Sequence, residues 1–211
     1  MNFLFGLPYH KGKIDPTSYN KKKIIQDITC NYEKNSLRNK WSCDNLHHLH
    51  SDRNNSEFIK IDFSEVSLLY EKEIYKFFTQ YEKFSTSNSL KISIDIANYT
   101  ASKNNQSMCE HTHIPSLFYG IHYLKFNPTC HNPTTHRNTN SFPRYAEYIY
   151  KNFYKHLDKK CVENSWLYQN WELETNEDDF FIIPAIVEHS IKPSYSDELR
   201  ISVVMNINLT N

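Results

Sequence analysis

The chain has 211 residues, which is enough for one domain of ordinary size with a hydrophobic core. Its 24 basic and 24 acidic residues cancel to a net charge of zero, which disfavours nucleic acid as the main partner. The five cysteines are widely spaced and form no CxxC pair. This pattern disfavours a disulfide framework or a zinc knuckle and favours a reducing, cytoplasmic location.

The N-terminal segment MNFLFGLPYHKGK lacks a basic region followed by a long apolar stretch, so we expect no signal peptide. No apolar run approaches the ~18 residues that span a bilayer, so no membrane partner is expected. The sequence is compatible with a homodimer.

Helical periodicity marks the first part of the chain. Residues 17–32 carry apolar side chains at helical spacing, with Thr17 or Ser18 as the expected N-cap. Residues 64–82 form the clearest amphipathic helix, and the polar segment 33–57 holds a histidine cluster expected at the surface. The two apolar stripes are Ile24, Ile25, Ile28 and Tyr32, then Val66, Leu69, Tyr70, Ile74, Phe77 and Tyr81; the clustered histidines are His47, His48 and His50.

After residue 89 the hydrophobic period changes from 3.6 to 2, which is typical of strands with one buried face. The first such strand carries Leu90, Ile92, Ile94 and Ile96. Further strands are predicted over 116–126, 166–174, 180–191 and 199–209, with a loop over 127–143 and a helix over 144–158. Pro184 predicts a bend or an edge within its strand.

Helices followed by strands favour an α+β fold, with a β-sandwich or jelly roll, over alternating βαβ units. We expect one domain over residues 1–211, in which a helical part, 1–88, packs on a strand-rich core, 89–211. The loop and helix over 127–160 would be an insertion in that core.

The segment His111-Thr112-His113 is the strongest chemical signal in the sequence. Side chains at positions i and i+2 of a strand project from one face, so both imidazoles can reach one metal ion. Imidazole is a common neutral ligand of iron, zinc, copper and nickel. His189, far along the chain, can close the site as a third ligand and leave positions open for substrates.

Arg200 lies in an otherwise apolar predicted strand, LRISVVMNINL. An unpaired buried guanidinium is costly, so this side chain should have a partner, and a planar carboxylate suits it best. That carboxylate could belong to a structural Asp or Glu or to a bound organic acid.

From about residue 36 to its end, the chain resembles the 2-oxoglutarate/Fe(II)-dependent oxygenase superfamily. More narrowly, it is similar to a small family of oxygenase-like proteins frequent in marine bacteria and their phages. The matching segments are Trp41-Ser42, EHTHIPS at 110–116, YGIHYL at 119–124, FIIP at 181–184, EHSIKP at 188–193 and RISVVMN at 200–206.

The resemblance implies a double-stranded β-helix, a cupin-like jelly roll with Fe(II) held between its sheets. By position, His111 and His189 are implied iron ligands, and His113 stands where the superfamily has a carboxylate. Three interpretations follow: His113 is the third ligand, the neighbouring Glu110 supplies a carboxylate, or the metal has been lost in a non-catalytic relative.

The resemblance also implies a site for a co-substrate. Arg200 would pair with the distal carboxylate of 2-oxoglutarate, and Ser202 would form a hydrogen bond with it. Tyr123 is an implied second contact, and Tyr119 is a weaker one. The expected activity is that of a dioxygenase, which uses O2 and 2-oxoglutarate to hydroxylate an unidentified substrate.

Two other functions fit parts of the pattern. A cupin-type enzyme with three histidine ligands and no 2-oxoglutarate would explain His111, His113 and His189 but would leave Arg200 and Ser202 without a role. A jelly-roll binding protein without catalysis would explain the fold alone.

Other polar and aromatic residues carry weaker expectations. His131 and His136 would border the site from the loop 127–143, which could act as a lid or a substrate-recognition element. Trp166 and Trp171 are expected to be core or edge aromatics. The acidic segment 177–179 is expected to form a solvated turn before a strand.

Overall fold

The computed structural model describes residues 2–34, 47–48, 57–79, 91–149, 155, 158 and 160–210. The strands in these ranges are β1 (Asn2–Leu4), β2 (Leu7–Lys13), β3 (His47–His48), β4 (Lys91–Ser102), β5 (Met108–His111), β6 (Phe118–Lys125), β7 (Thr134–Arg137), β8 (Asn170–Glu172), β9 (Asp179–Pro184), β10 (His189–Ile191) and β11 (Arg200–Thr210). The helices are α1 (Lys21–Lys34), α2 (Ser64–Thr79), α3 (Phe142–Ile149) and a 3-10 helix (Val162–Leu167).

The strands form two sheets, and the pairings between described strands are antiparallel. The larger sheet has the order β1-β2-β9-β6-β11-β4-β3, and the smaller sheet has the order β5-β10-β7-β8. Strand β11 is central in the larger sheet, because it pairs with β4 on one side and β6 on the other. The predicted class is therefore confirmed as a mixed fold of antiparallel sheets with a few helices.

Alternation along the strands divides the apolar side chains between two cores. On β9, Phe180 and Ile182 face the helices, whereas Phe181 and Ile183 face the space between the sheets. Helices α1 and α2 close the first core with Ile24, Ile28, Tyr32, Val66, Tyr70, Ile74, Phe77 and Phe78. The second core lies between the sheets and includes Tyr119, Ile121, Tyr123, Trp171 and Leu173. Burial of each large apolar side chain contributes about 1.5–3 kcal/mol, so the two cores hold the layers together.

Both predicted N-terminal helices are present, but α1 is capped differently. Thr17 and Ser18, the predicted caps, instead donate to the Asp15 carboxylate. Asn20 caps the helix, because its Oδ1 accepts from the backbone N–H three residues later at 3.2 Å. Within the predicted stripe of α2, the buried side chains are Val66, Tyr70, Ile74 and Phe77, while Leu69 is partly buried.

Several predicted boundaries differ from the structure. Strands β1 and β2 come from the part predicted as helical, and they join the larger sheet because β2 pairs with β9. The predicted strand 166–174 begins at the end of the 3-10 helix, and only Asn170–Glu172 form a strand, the short β8. The predicted strand 180–191 breaks after Pro184, where a bend was expected, and continues as β10 in the other sheet. The predicted loop 127–143 contains the buried strand β7.

Some predictions fall outside the described residues. These are Trp41-Ser42, His50, Leu90, Tyr81 and most of the second half of the helix predicted over 144–158, which begins at Phe142 in the structure. Within the described ranges, no helix is both long enough and apolar enough to cross a bilayer.

The prediction of reduced cysteines fails at one position. Cys109, on β5, is disulfide-bonded, which the odd number and wide spacing of the cysteines did not predict. Cys30, Cys130 and Cys161 are free thiols, as expected.

Candidate metal centre

Three histidines, two from the end of β5 and the turn after it and one from β10, meet between the two sheets. His111 is the last residue of β5 and His189 is the first of β10, and the two strands pair so that these residues are direct partners. His113 follows β5, and its backbone N–H donates to the carbonyl of Ala185 at 3.1 Å. One nitrogen of each imidazole lies within 4.8 Å of the other two.

The reason for this convergence differs from the prediction. His113 does not stand on the same strand as His111, because β5 ends at His111 and the chain then turns. Within that turn, the backbone N–H of Ser116 donates to the carbonyl of His113 at 2.9 Å. The backbone N–H of Leu117 donates to the side-chain Oδ1 of Asn208 at 2.9 Å, which ties the turn to β11.

Hydrogen bonds select the same tautomer in all three imidazoles. His111 and His189 each donate from Nδ1 to the backbone carbonyl two residues earlier, at 2.9 and 3.1 Å. The Nδ1 of His113 donates to the side-chain Oδ1 of Asn206 at 3.2 Å. A proton on Nδ1 leaves the lone pair on Nε2, which is the form of histidine that binds a metal.

Burial favours the neutral form of these side chains. Burial, with a smaller contribution from His111, lowers the pKa of His113 to about 4. Burial also lowers the pKa of His189 well below its usual value, and the neighbouring imidazoles add to the effect. The Nε2 of His113 is buried and has no hydrogen-bond partner in the described part of the chain. Because a buried polar atom without a partner is rare and costly, this donor set fits a divalent metal ion.

Aromatic and polar groups support the histidines from behind. The ring of Tyr119 stacks on His113 and on His189, with centroid distances of 4.7 and 4.5 Å. Its hydroxyl is hydrogen-bonded to the Nε2 of His136 at 3.0 Å. His136 lies on β7 as the direct partner of His189 and is buried. His136 therefore lies beside a candidate ligand, as predicted, but on a buried strand and not in a loop that could act as a lid. Tyr119 packs on the candidate ligands.

The structure contradicts the interpretation in which Glu110 supplies a carboxylate ligand. The Glu110 carboxylate pairs with Arg137 at 2.6 Å and is not part of the histidine group. Among the described residues, that group contains three imidazoles and no carboxylate.

A narrow cavity between the sheets adjoins the histidines. Its other lining residues are Thr100, Met108, Ile121, Thr134, Ile191, Ser202 and Val204. The hydroxyls of Thr100 and Ser202 lie 2.7 Å apart, and the hydroxyl of Tyr123 donates to Thr134 Oγ1 at 2.8 Å. The wall beyond the imidazoles therefore carries several hydroxyl groups.

Arg200 lies next to this wall with an incomplete set of partners. Its side chain is 1% exposed, and its Nη1 lies 3.4 Å from Ser202 Oγ. The Nε and Nη2 atoms are buried without a hydrogen-bond partner among the described residues. The rings of Tyr123 and Phe126 lie 5.2 and 5.9 Å from the guanidinium carbon. Burial lowers the pKa of Arg200, so an anionic ligand would offset a substantial cost here.

His131 lies in a second group of metal-binding residue types, with Cys130 and Glu198. Its Nδ1 accepts from the backbone N–H of Asn127, and its Nε2 donates to the carbonyl of Glu198, both at 3.0 Å. Both imidazole nitrogens are therefore engaged, and His131 acts as a structural bridge in this loop.

The acidic segment 177–179 is not the solvated turn that was predicted. Asp178 and Asp179 are buried, and Asp178 has a φ of 67°. The Nζ of Lys21 lies 2.6 Å from both Glu177 and Asp178, so helix α1 is joined to this turn by ion pairs. Trp171 is buried in the core between the sheets, as expected, whereas Trp166 is exposed on the 3-10 helix.

The fold is similar to those of several solved oxygenases. No family model and no curated sequence matches the chain. A prolyl-4-hydroxylase from Pseudomonas putida has a TM-score of 0.54 at 7% identity, over 97% of this chain and 94% of that chain. SnoK, a non-heme α-ketoglutarate-dependent carbocyclase from nogalamycin biosynthesis, has a TM-score of 0.53 at 10% identity, over 95% and 79%. A Trichoplax adhaerens prolyl hydroxylase, in complex with a hypoxia inducible factor peptide, has a TM-score of 0.51 at 8% identity, over 95% and 83%.

At these identities the likeness concerns the fold alone. It confirms, at that level, the resemblance to 2-oxoglutarate/Fe(II) oxygenases that the sequence motifs indicated. The similarity to a narrower bacterial and phage family stays a prediction.

Proposed function

We propose that this chain is an Fe(II)- and 2-oxoglutarate-dependent dioxygenase with a double-stranded β-helix core, which hydroxylates an unidentified substrate. The observation that carries the proposal is the proximity of two incomplete sites. Three imidazoles share one cavity, and a buried guanidinium lies against the same wall, with two nitrogens that have no partner among the described residues. A metal alone leaves the arginine without a partner, and an anion alone leaves the imidazoles unexplained. An organic acid that chelates a metal would complete both.

The three histidines would hold Fe(II) through their Nε2 atoms. Two of them are oriented by backbone carbonyls and the third by Asn206, so the imidazoles are held in the metal-binding tautomer before the ion arrives. When bound, iron and 2-oxoglutarate would together activate O2 for oxidation of a substrate C–H bond. The tight packing of Tyr119 against two of the imidazoles excludes water from that side of the centre.

Arg200 and Ser202 would bind the distal carboxylate of 2-oxoglutarate. The guanidinium is held by Ser202 Oγ and by the faces of two aromatic rings, which leaves Nε and Nη2 for an anion. The ring of Tyr123 faces the guanidinium, while its hydroxyl is engaged with Thr134. Because the cavity is narrow, we expect the flexible side chain of Met108, which lines it, to move when the co-substrate binds.

The charge of the site also favours a dianionic co-substrate. Three neutral imidazoles do not reduce the charge of a divalent metal, and the buried Arg200 adds a further positive charge nearby. A dicarboxylate such as 2-oxoglutarate would balance these charges in a low-dielectric cavity, where uncompensated charge is costly.

Anaerobic titration tests this proposal. Fe(II) followed by 2-oxoglutarate should produce a metal-to-ligand charge-transfer band, and admission of O2 should yield succinate. Arg200→Met should keep the metal and lose the band, whereas Cys130→Ser, in the other group of metal-binding residue types, should keep both. A wild-type chain that develops no band and forms no succinate would rule the proposal out.

A second candidate is a cupin-type three-histidine metalloenzyme that uses no 2-oxoglutarate. The absence of a carboxylate from the described histidine group favours it. It predicts that Arg200→Met leaves activity as well as metal binding unchanged, whereas the dioxygenase proposal predicts that metal binding persists and 2-oxoglutarate binding is lost.

A further inference from the structure

We propose that Asn206 is the positioning residue that makes His113 a metal ligand. Its side-chain oxygen holds the imidazole in the orientation and tautomer that present Nε2 to the metal. This inference rests on the proposed function, because it concerns the third ligand of the same centre.

The position of Asn206 follows from the pairing of β11. Ser202 and Val204 line the cavity, and Asn206 continues the same face of the strand towards the histidines. The register between β11 and β4 shifts between Val204 and Asn206. On the other side of β11, Asn206 is the direct partner of Tyr119 on β6. Direct partners in an antiparallel pair project from the same face, so both side chains reach His113.

Asn206 and Tyr119 restrain the imidazole of His113 in complementary ways. The ring of Tyr119 stacks on it at a centroid distance of 4.7 Å and an interplanar angle of 25°, which limits its tilt. The hydrogen bond from Nδ1 to Asn206 Oδ1, at 3.2 Å, limits its rotation within that plane. With both contacts in place, the remaining nitrogen is the buried Nε2, for which the described residues provide no hydrogen-bond partner.

The Nδ1 of His113 donates to a side chain, whereas the Nδ1 atoms of the other two candidate ligands donate to the backbone. His111 and His189 donate to carbonyls of their own local segments, two residues earlier. His113 lies in the turn after β5, so its acceptor comes from a strand that is distant in sequence. A substitution at Asn206 therefore removes the acceptor for one ligand and leaves the acceptors for the other two intact.

Asn208 provides a matched control on the same strand. Its Oδ1 accepts from the backbone N–H of Leu117 at 2.9 Å and so holds the same turn. Unlike Asn206, it makes this bond to the backbone and not to the imidazole. Loss of turn anchoring and loss of ligand positioning can therefore be separated by comparing Asn206→Ala with Asn208→Ala.

Cobalt titration of the full-length chain tests the inference without reference to turnover. Co(II) would be titrated into the wild type and into Asn206→Ala, Asn206→Asp, Asn208→Ala and His113→Ala, with the dissociation constant and the visible d–d absorption as readouts. We expect Asn206→Ala to weaken Co(II) binding about 10–100-fold and to change the d–d spectrum, as loss of a group that orients a ligand does. Asn208→Ala should stay near wild type, and Asn206→Asp, which keeps the acceptor, should restore binding.

The possible failures are distinguishable. If Asn206→Ala binds Co(II) with the wild-type affinity and spectrum while His113→Ala does not, the role of Asn206 is overturned and the metal centre stands. If Asn206→Ala does not fold in a thermal unfolding control, Asn206→Asp decides, since binding much weaker than wild type would overturn the inference. If the wild-type chain takes up no cobalt, the proposed centre falls, and the inference falls with it.

Discussion

His111 and His189 are direct partners across the antiparallel pair of β5 and β10, and their imidazole centroids lie 4.4 Å apart. Because the backbone ladder sets this spacing, two candidate ligands are close together before any metal binds. His113 reaches them from a turn and is held by Asn206. The smaller sheet thus supplies two ligands from paired strands, and the larger sheet orients the third.

Substitution of a candidate ligand should abolish tight metal binding. We expect His189→Ala to weaken binding by more than the about 10–100-fold typical of residues that only orient a ligand, because it removes a donor atom. Isothermal titration with Co(II) measures the loss. Glu110→Gln is the control, since Glu110 pairs with Arg137 outside the histidine group and should bind metal like the wild type. If Glu110→Gln lost metal binding, the Glu110 carboxylate would be a metal ligand after all.

Replacement of Arg200 should leave the ligand-free protein at least as stable as the wild type. Arg200 is buried, and two of its nitrogens have no partner within the described ranges. Apolar residues of similar volume that replace buried charges are often neutral or stabilising by about 1–4 kcal/mol. Urea unfolding of Arg200→Met measures the free energy of unfolding. The same variant should also lose 2-oxoglutarate binding. Arg137→Met, which breaks a half-exposed ion pair, should lower stability by less than about 1 kcal/mol. Strong destabilisation of Arg200→Met would show that the guanidinium has a structural role.

Removal of the Ser202 hydroxyl should weaken binding of the co-substrate and leave binding of the metal unchanged. This hydroxyl lies 2.7 Å from Thr100 Oγ1 and 3.4 Å from Arg200 Nη1. One such hydrogen bond is worth about 0.5–1.5 kcal/mol, so Ser202→Ala should weaken 2-oxoglutarate binding up to about tenfold. Calorimetry on the Co(II)-loaded protein measures this. Thr129→Ala, at an exposed loop hydroxyl, should bind as the wild type does. If Ser202→Ala bound 2-oxoglutarate with the wild-type affinity, the distal carboxylate of 2-oxoglutarate would not contact Ser202.

The ion pairs at Asp178 should contribute stability that is lost in acid. Burial opposes ionisation of Asp178, but contacts with His122 and Lys21 outweigh it and lower the pKa of the carboxyl. A group whose pKa is lower in the folded state stabilises the fold above its unfolded pKa of about 3.9, and this contribution disappears as the pH falls through the folded pKa. We therefore expect Asp178→Asn to cost about 1–3 kcal/mol at pH 6 and progressively less below about pH 4.

Asparagine is the suitable replacement at this position, because it tolerates the positive φ of 67°. Urea unfolding at pH 6, 4 and 3 measures the difference from wild type, and the exposed Asp197→Asn serves as the control. A difference between Asp178→Asn and wild type that did not change with pH would mean that the lost stability is not linked to ionisation of the carboxylate.

Local patterns predicted the parts of the candidate site that lie on regular strands. Alternation over 199–209 separates Arg200 and Ser202 from the apolar side chains that face the helices, and β11 shows this arrangement. The residue types of His111 and His189 identified them as donors. Neither Asn206 nor the stacking role of Tyr119 could be recognised, because an isolated asparagine or tyrosine in a strand carries no signal until the partner strand is known.

The sequence by itself determined which residue types were available: three imidazole donors, one buried arginine and strands with two distinct faces. The tertiary structure alone decided which of them meet. It moved His113 off the strand and into a turn, brought Asn206 to 3.2 Å from its imidazole and excluded Glu110 from the histidine group. The physical reason is that contacts between distant segments depend on sheet register and turn geometry. A shift of one residue in register would turn a side chain to the opposite face, and local periodicity does not encode that choice.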